Sequence, residues 1–330
     1  MRHAIWLPAY LLLLSVLFVS IVRAEDSGEE TEQSIAEERM NLYMTYETPS
    51  VPWHTLAAID RYERNIQRVR NDLEEIEGPV AFRFEEEFWA GAPNPEHGES
   101  DPAAIEFFEG GGMDGNGDGK ADPEDPEDIL FTLANTIGIN GGDAQDRRLA
   151  LYEFFGSEEA VRQIMTIDEL FRSFGTIELD THVFPLPKTH HYTYRSTWGA
   201  RRGWGGRRMH EGTDLFASYG VPVRSVTYGV IEMKGWNEFG GWRVGIRDAH
   251  NVYHYYAHLS GFEKGIEEGQ VVEPGTVVGY VGSSGYGKEG TSGKFPPHLH
   301  YGMYKFDGRS EWAFDPYPSL NRWEQEEKKK

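Results

Sequence analysis

The chain has 330 residues, of which 39% are hydrophobic, and a formal net charge of -22; this is enough length and apolar content for two domains. It contains no cysteine, which excludes a disulfide framework, a thiolate metal site and a cysteine nucleophile, and leaves only nitrogen and oxygen ligands for a catalytic metal. Residues 25–180 carry 11 Lys and Arg against 38 Asp and Glu, whereas residues 181–330 carry 19 against 16, so two different units meet near residue 180. The acidic unit lacks the basic surface that nucleic acid requires.

Residues 1–24 read as a secretory signal: Arg2 and His3, an apolar run from Ile5 to Val22, and a small residue, Ala24, at the expected cleavage point. An uncleaved membrane anchor is the alternative, opposed by Pro8 and the small-residue site. Residues 25–38 form an acidic leader without aromatics. A helical unit is then expected over residues 39–178. Its helices run over Ile35–Tyr46, Pro52–Glu77, Pro126–Gly138, Asp143–Phe155 and Ser157–Phe174, with a long loop over 78–125. Within that loop, Asp114, Asn116, Asp118, Asp122 and Asp125 stand at positions 1, 3, 5, 9 and 12 of a calcium-loop template, with Gly119 at 6. These residues are candidate calcium ligands. Asp125 stands where the template has Glu, and Pro123 departs from it.

Residues 179–192 read as a linker, and beyond them short β-branched and aromatic runs alternate with glycine: Val221–Thr227, Gly229–Lys234, Trp242–Asp248, Val252–His258 and Val277–Val281. The spacing predicts an antiparallel β domain over 193–318, followed by a charged tail over 319–330. The fold class is thus α+β and multidomain, a helical unit followed by an antiparallel sheet.

Three histidine signals fall in the β domain. In Met209-His210-Glu211-Gly212-Thr213-Asp214, extended chain puts residues 210, 212 and 214 on one side. In Pro297-His298-Leu299-His300-Tyr301, the period of two sends both imidazoles to one face and Leu299 to the other. The third, Tyr255-Tyr256-Ala257-His258-Leu259-Ser260, ends an aromatic strand. A catalytic zinc needs three protein ligands and an open position, and histidines beyond the ligands can polarise water or stabilise an oxyanion. His54, His97, His182, His190, His191, His250 and His254 are read as structural or surface groups.

Together with Gly220-Val221-Pro222-Val223, Gly229-Val230-Ile231 and Gly279-Tyr280-Val281-Gly282, these motifs make the stretch from Phe184 to Tyr304 resemble the lysostaphin/LytM-type zinc endopeptidases. The resemblance implies His210, Asp214 and His300 as zinc ligands, His258 and His298 as the catalytic pair, and hydrolysis by a water activated at zinc. Residues 286–297 are longer than the family's usual turn. Like the stretch Trp198–Arg208, with Arg201, Arg202, Arg207 and Arg208, they are expected to rim the cleft. The whole-chain pattern resembles the sporulation-associated endopeptidases (LytH type) that cut between L-alanine and D-glutamate of the peptidoglycan stem. That implies a location at the cell wall or in the forespore intermembrane space. Other peptidoglycan cross-links, and a non-catalytic wall-binding activator, stay open.

The helical unit resembles the lytic transglycosylases of lysozyme-like fold in Pro52-Trp53-His54-Thr55-Leu56-Ala57-Ala58-Ile59 followed by Tyr62-Glu63, and in Leu149-Ala150-Leu151-Tyr152. The resemblance implies Glu63 as a glycan acid. Arg64 and Glu153 depart from that family's pattern, and a cation beside Glu63 would lower its pKa, so a degenerate glycan-binding or scaffolding unit is expected over an active one.

Overall fold

A computed structural model describes residues 34–203 and 208–329. The signal, most of the leader, and Trp204 and Arg207 lie outside the described residues. Among the described residues no helix is long and apolar enough to cross a membrane.

The amino-terminal unit is helical. Helix α1 covers residues 34–46, and α2 (Trp53–Val69) runs through the centre of the unit, with twelve of its side chains buried. Around it stand α3 (Glu86–Ala90), α4 (Pro102–Phe107), α5 (Pro126–Gly138), α6 (Ala144–Phe155) and α7 (Glu158–Phe174). Side-chain oxygens of Asp125, Asp143 and Ser157 cap α5, α6 and α7, and left-handed Gly156 and Gly175 end the last two. Helix α2 stops eight residues before the expected Glu77. Buried Asp60 accepts the backbone N–H of Ala81 (2.5 Å) and Phe82 (3.0 Å), and Gln67 accepts that of Ile76 (3.1 Å), which folds the chain back along the helix.

The carboxy-terminal unit is built on one large antiparallel sheet. Its strands are β1 (Tyr192–Tyr194), β4 (Thr213–Ala217), β5 (Pro222–Arg224), β6 (Gly229–Asn237), β7 (Gly241–Arg247), β8 (Val252–Phe262), β9 (Val271–Val272), β10 (Val277–Val281), β11 (His298–Phe306) and β12 (Glu311–Phe314). A separate short pair joins β2 (Arg201–Arg202) to β3 (Arg208–Met209). The main path through the sheet is β1-β4-β11-β8-β7-β6-β9. One face packs a core of Leu215, Val244, Ile246, Tyr256, Leu299 and Tyr301, and the other forms a cleft. The core face also buries His254, in contact with Asp248 (3.1 Å) and the Tyr301 hydroxyl (2.7 Å), which fixes its structural role.

Residues 319–330, expected as a charged tail, belong instead to helix α8 (Tyr317–Lys329) through Lys329. Leu320 and Trp323 are buried, and the Trp323 ring stacks on His182 at 4.9 Å. Glu324 accepts from the hydroxyls of Tyr192 and Tyr194, and Glu327 from the backbone N–H of Phe184, so α8 holds residues 182–194 against the sheet. The two units share an apolar seam in which Val230, Ala249 and Phe306 join the helical core. Arg162 pairs with Glu232 across it, and Asn65 donates to the Ala249 carbonyl at 3.0 Å.

Candidate active site

Strand register alone brings Asp214 and His300 together: they are directly opposed on β4 and β11, with Phe216 opposite His298 one pleat away. His210 precedes β4 and is clamped by backbone hydrogen bonds, its N–H to Ala200 and its carbonyl from Gly199. Gly212, between His210 and Asp214, leaves room for the His300 ring, since a Cβ there would lie 2.6 Å from His300 Cε1. His210 Nε2, His300 Nδ1 and Asp214 Oδ1 form a triangle with edges of 2.8, 3.0 and 3.1 Å.

Those edges and donors suit zinc. Tetrahedral bonds of about 2.0–2.1 Å put nitrogen and oxygen ligands roughly 3.3 Å apart. The tautomers fit as well: His210 Nδ1 lies 2.8 Å from the Thr197 carbonyl, a contact made by a ring N–H, so Nε2 keeps its lone pair. Burial raises the Asp214 pKa, but the His210 and His300 rings held against it outweigh that and keep the carboxylate well below its usual range. Burial is also the main reason that His300 titrates near 4, leaving its ring neutral at pH 7. Among the described residues this trio alone gathers three groups that can hold a metal. Arg202 pairs with Asp214 Oδ2 rather than facing outward, and so orients the carboxylate.

His258 reaches the same place by a different device. Along β8 the even-numbered Val252, His254 and Tyr256 face the core while Tyr253 and Tyr255 line the cleft, so strict alternation would bury His258 with the even set. A bulge opposite β7, where Val244 pairs with Tyr256 but Trp242 with Leu259, adds one residue. His258 takes φ +63° there and turns into the cleft. Its Nδ1 lies 2.8 Å from the Ser284 carbonyl, and His298 Nδ1 lies 2.8 Å from that of Pro296, so each ring is left with Nε2 as acceptor. The rings are 4.8 Å apart. Burial lowers both pKa values, for His258 with help from His300 and His298, so both are neutral bases at pH 7.

The cleft has a volume of about 400 Å³ and contains His210, His258 and His300 together with Tyr253, Tyr255 and Tyr304. Residues 286–297 rim it as expected: Tyr286 lines it, and Phe295 packs on His258 at 4.6 Å and on His298 at 5.1 Å. The cleft also holds Arg243 and the tyrosines of β8, which the sequence analysis did not single out. The tyrosines share the odd-numbered face of β8, and Arg243 joins them from the neighbouring strand β7, a juxtaposition legible only once the register was known.

Residues 208–316 match the family described as Peptidase family M23. The chain is 51% identical over 321 residues, 96% of its length and 98% of the relative's, to the L-Ala--D-Glu endopeptidase of Bacillus subtilis (strain 168). The chain belongs to peptidase family M23. It is also 32% identical over 114 residues to Staphylococcus simulans lysostaphin, covering 34% of this chain and 21% of that one. The solved lysostaphin catalytic domain from the same organism is 28% identical, covers 40% of this chain and 93% of that chain, and gives a TM-score of 0.32.

Outside the M23 sheet, the calcium-type loop does not gather its ligands. Asp114 accepts the N–H groups of Gly117 (2.7 Å) and Gly119 (2.9 Å), and Asp118 and Asp122 accept those of Lys120 and Glu124. Asn116 donates to Asp125, whose other oxygen caps α5. Calcium is therefore not supported: the five side chains serve the loop's own backbone and form no metal cluster among the described residues.

The expected effect of Arg64 on Glu63 is a second correction. Arg64 lies next to it in sequence but points elsewhere, bonded to Asp60 (3.0 Å) and to the carbonyls of Gly78 (2.8 Å) and Pro79 (2.9 Å). Glu63 instead lines a separate cleft of about 750 Å³ with Phe82, Phe88, Phe154 and Phe155. Burial, then the charges of Asp60 and Glu85, push its pKa up to about 7. A carboxyl raised in the folded state binds its proton more tightly there than in the unfolded chain, so stability declines as pH rises from about 4.5 to about 7. Glu63→Gln should therefore raise the melting temperature at pH 8 and leave it unchanged at pH 4; an equal shift at both would show that the carboxyl is not the cause.

Proposed function

We propose that the chain hydrolyses the bond between L-alanine and D-glutamate in the stem peptide of bacterial peptidoglycan, with His210, Asp214 and His300 holding zinc and His258 and His298 as the catalytic pair. The observation that carries this reading is the ligand triangle set beside two neutral histidines in an open cleft; the choice of bond follows the Bacillus subtilis relative. Zinc held by His210, Asp214 and His300 would supply Lewis acidity to the substrate carbonyl and lower the pKa of a bound water toward neutrality. His258 or His298 takes the water's proton at Nε2, and the resulting N–H donates to the developing oxyanion. Since the substrate lies outside the cytoplasmic membrane, the signal-like segment over 1–24 supports an extracytoplasmic site of action, in the cell wall or the forespore intermembrane space.

Residues 39–178 we read as a lysozyme-like unit that holds the glycan strand, supported by the aromatic cleft around Glu63. One digest tests both readings. Purified wall treated with the zinc-loaded protein should release peptides with new D-glutamate amino termini, and none in the presence of chelator. New termini at any other residue would refute the bond assignment. Anhydromuramyl ends would show that the helical unit cuts glycan as well as holding it.

A further inference from the structure

The substrate carries a charge that the catalytic residues do not address. In a stem peptide the chain leaves D-glutamate through its γ-carboxyl, so a free α-carboxylate stays on the carbon bonded to the scissile nitrogen. An enzyme cutting this bond buries an anion beside its reacting centre, and an uncompensated buried charge is costly. Among the described residues three arginines line the cleft. Arg202 is committed to Asp214, and Arg208 is an exposed residue whose guanidinium sits over the Phe239 ring at 4.5 Å.

Arg243 differs from both. It is half-buried on β7, and its Nε is buried without a hydrogen-bond partner. No carboxylate among the described residues pairs with it, whereas Arg247, four residues along the same strand, is held between Glu232 and Glu311. Its guanidinium lies 5.9 Å from the Tyr255 ring centroid, and Tyr255 in turn meets the His300 ring edge-on at 5.9 Å. One aromatic ring thus separates the ligand triangle from a guanidinium that meets the Tyr255 side chain but has no carboxylate partner among the described residues. Of the acids lining the cleft, Glu311 is taken by Arg247, and Glu211 is exposed next to His210.

We infer that Arg243 binds the α-carboxylate of the D-glutamyl residue that follows the scissile bond, and so selects substrates that carry that charge. The planar fork of guanidinium matches a carboxylate in two parallel hydrogen bonds, which an amide in the same position satisfies poorly. Arg243 is a specificity residue: it fixes the leaving-group side of the peptide while the histidines do the chemistry. This inference rests on the bond assignment proposed above.

The test uses the full-length zinc-loaded protein and two synthetic stem peptides, one with the free α-carboxylate and one with the α-amide of D-isoglutamine. Wild type should favour the carboxylate peptide. Arg243→Gln should raise KM on that peptide by about thirty-fold or more with little change in kcat, and change KM on the amide peptide by less than about three-fold. Equal losses on both peptides, or no loss on the carboxylate peptide, would overturn the inference. Should Arg243→Gln fail to fold, the same ratio is read on Arg243→Lys, which keeps the charge without the fork and must show a reduced preference. If wild type releases neither D-glutamate nor D-isoglutamine amino termini from these peptides, the bond assignment is what fails.

Discussion

His300→Ala should leave less than about a hundredth of wild-type hydrolysis and abolish stoichiometric zinc binding, with the fold retained. The triangle explains why the loss is this large. His300 Nδ1 supplies two of its three edges, 2.8 Å to His210 and 3.1 Å to Asp214, so removing the ring leaves two ligands only, His210 and the buried Asp214 carboxylate. Two ligands are one fewer than a catalytic zinc requires. The fold should survive because β11 is held to β4 and β8 by backbone pairing, and because the lost ring faces the cleft rather than the core. Zinc content, circular dichroism and peptide release together check the result. Chelation of wild type should reproduce the loss, and added zinc should restore wild type but not the variant. A variant that binds one zinc per chain and keeps more than a tenth of its activity would remove His300 from the ligand set.

How much of this site was legible in the sequence depends on how local its determinants are. The H-x-H spacing of His298 and His300 is a property of any flat strand, and β11 is one, so both rings share a face as expected. His210 and Asp214 also meet, but through the bend at Gly212 and the backbone bonds of His210 to Gly199 and Ala200, since His210 lies before β4. His258 shows where period alone fails. By alternation it belongs with the core residues His254 and Tyr256, and only a bulge set by pairing with β7 turns it outward. A family resemblance found it; periodicity would have misplaced it.

The errors have the same origin. The effect of Arg64 on Glu63 was judged from adjacency in sequence, yet successive helix positions point about 100° apart, and Arg64 is drawn away by Asp60 and the carbonyls of the turn that follows α2. Acidic spacing in residues 114–125 fitted a calcium template, but the same Asp and Asn side chains also hydrogen-bond their own backbone, and that local use prevails here. Charge also obscured α8. Its Glu and Lys residues dominate the composition, while Leu320 and Trp323, three apart, form the narrow stripe that docks it.

His258→Ala and His298→Ala form the second large expectation: kcat should fall by about 10²- to 10⁴-fold in each, with zinc content and KM little changed. Neither ring belongs to the ligand triangle, so loss of activity with full metal occupancy separates their role from that of His300. On the proposed reading they share a task. Each is fixed through Nδ1 by a backbone carbonyl, each is neutral at pH 7 because of burial, and their rings are 4.8 Å apart at the edge of the cleft. The ring that takes the water's proton gains an Nε2–H with which it can support the oxyanion, and its neighbour is held against it, so removing either should weaken the same transition state. The double variant should then lose far less than the product of the single losses. If the two losses multiply, the histidines act independently. If either variant sheds its zinc, that histidine supports the metal rather than the chemistry.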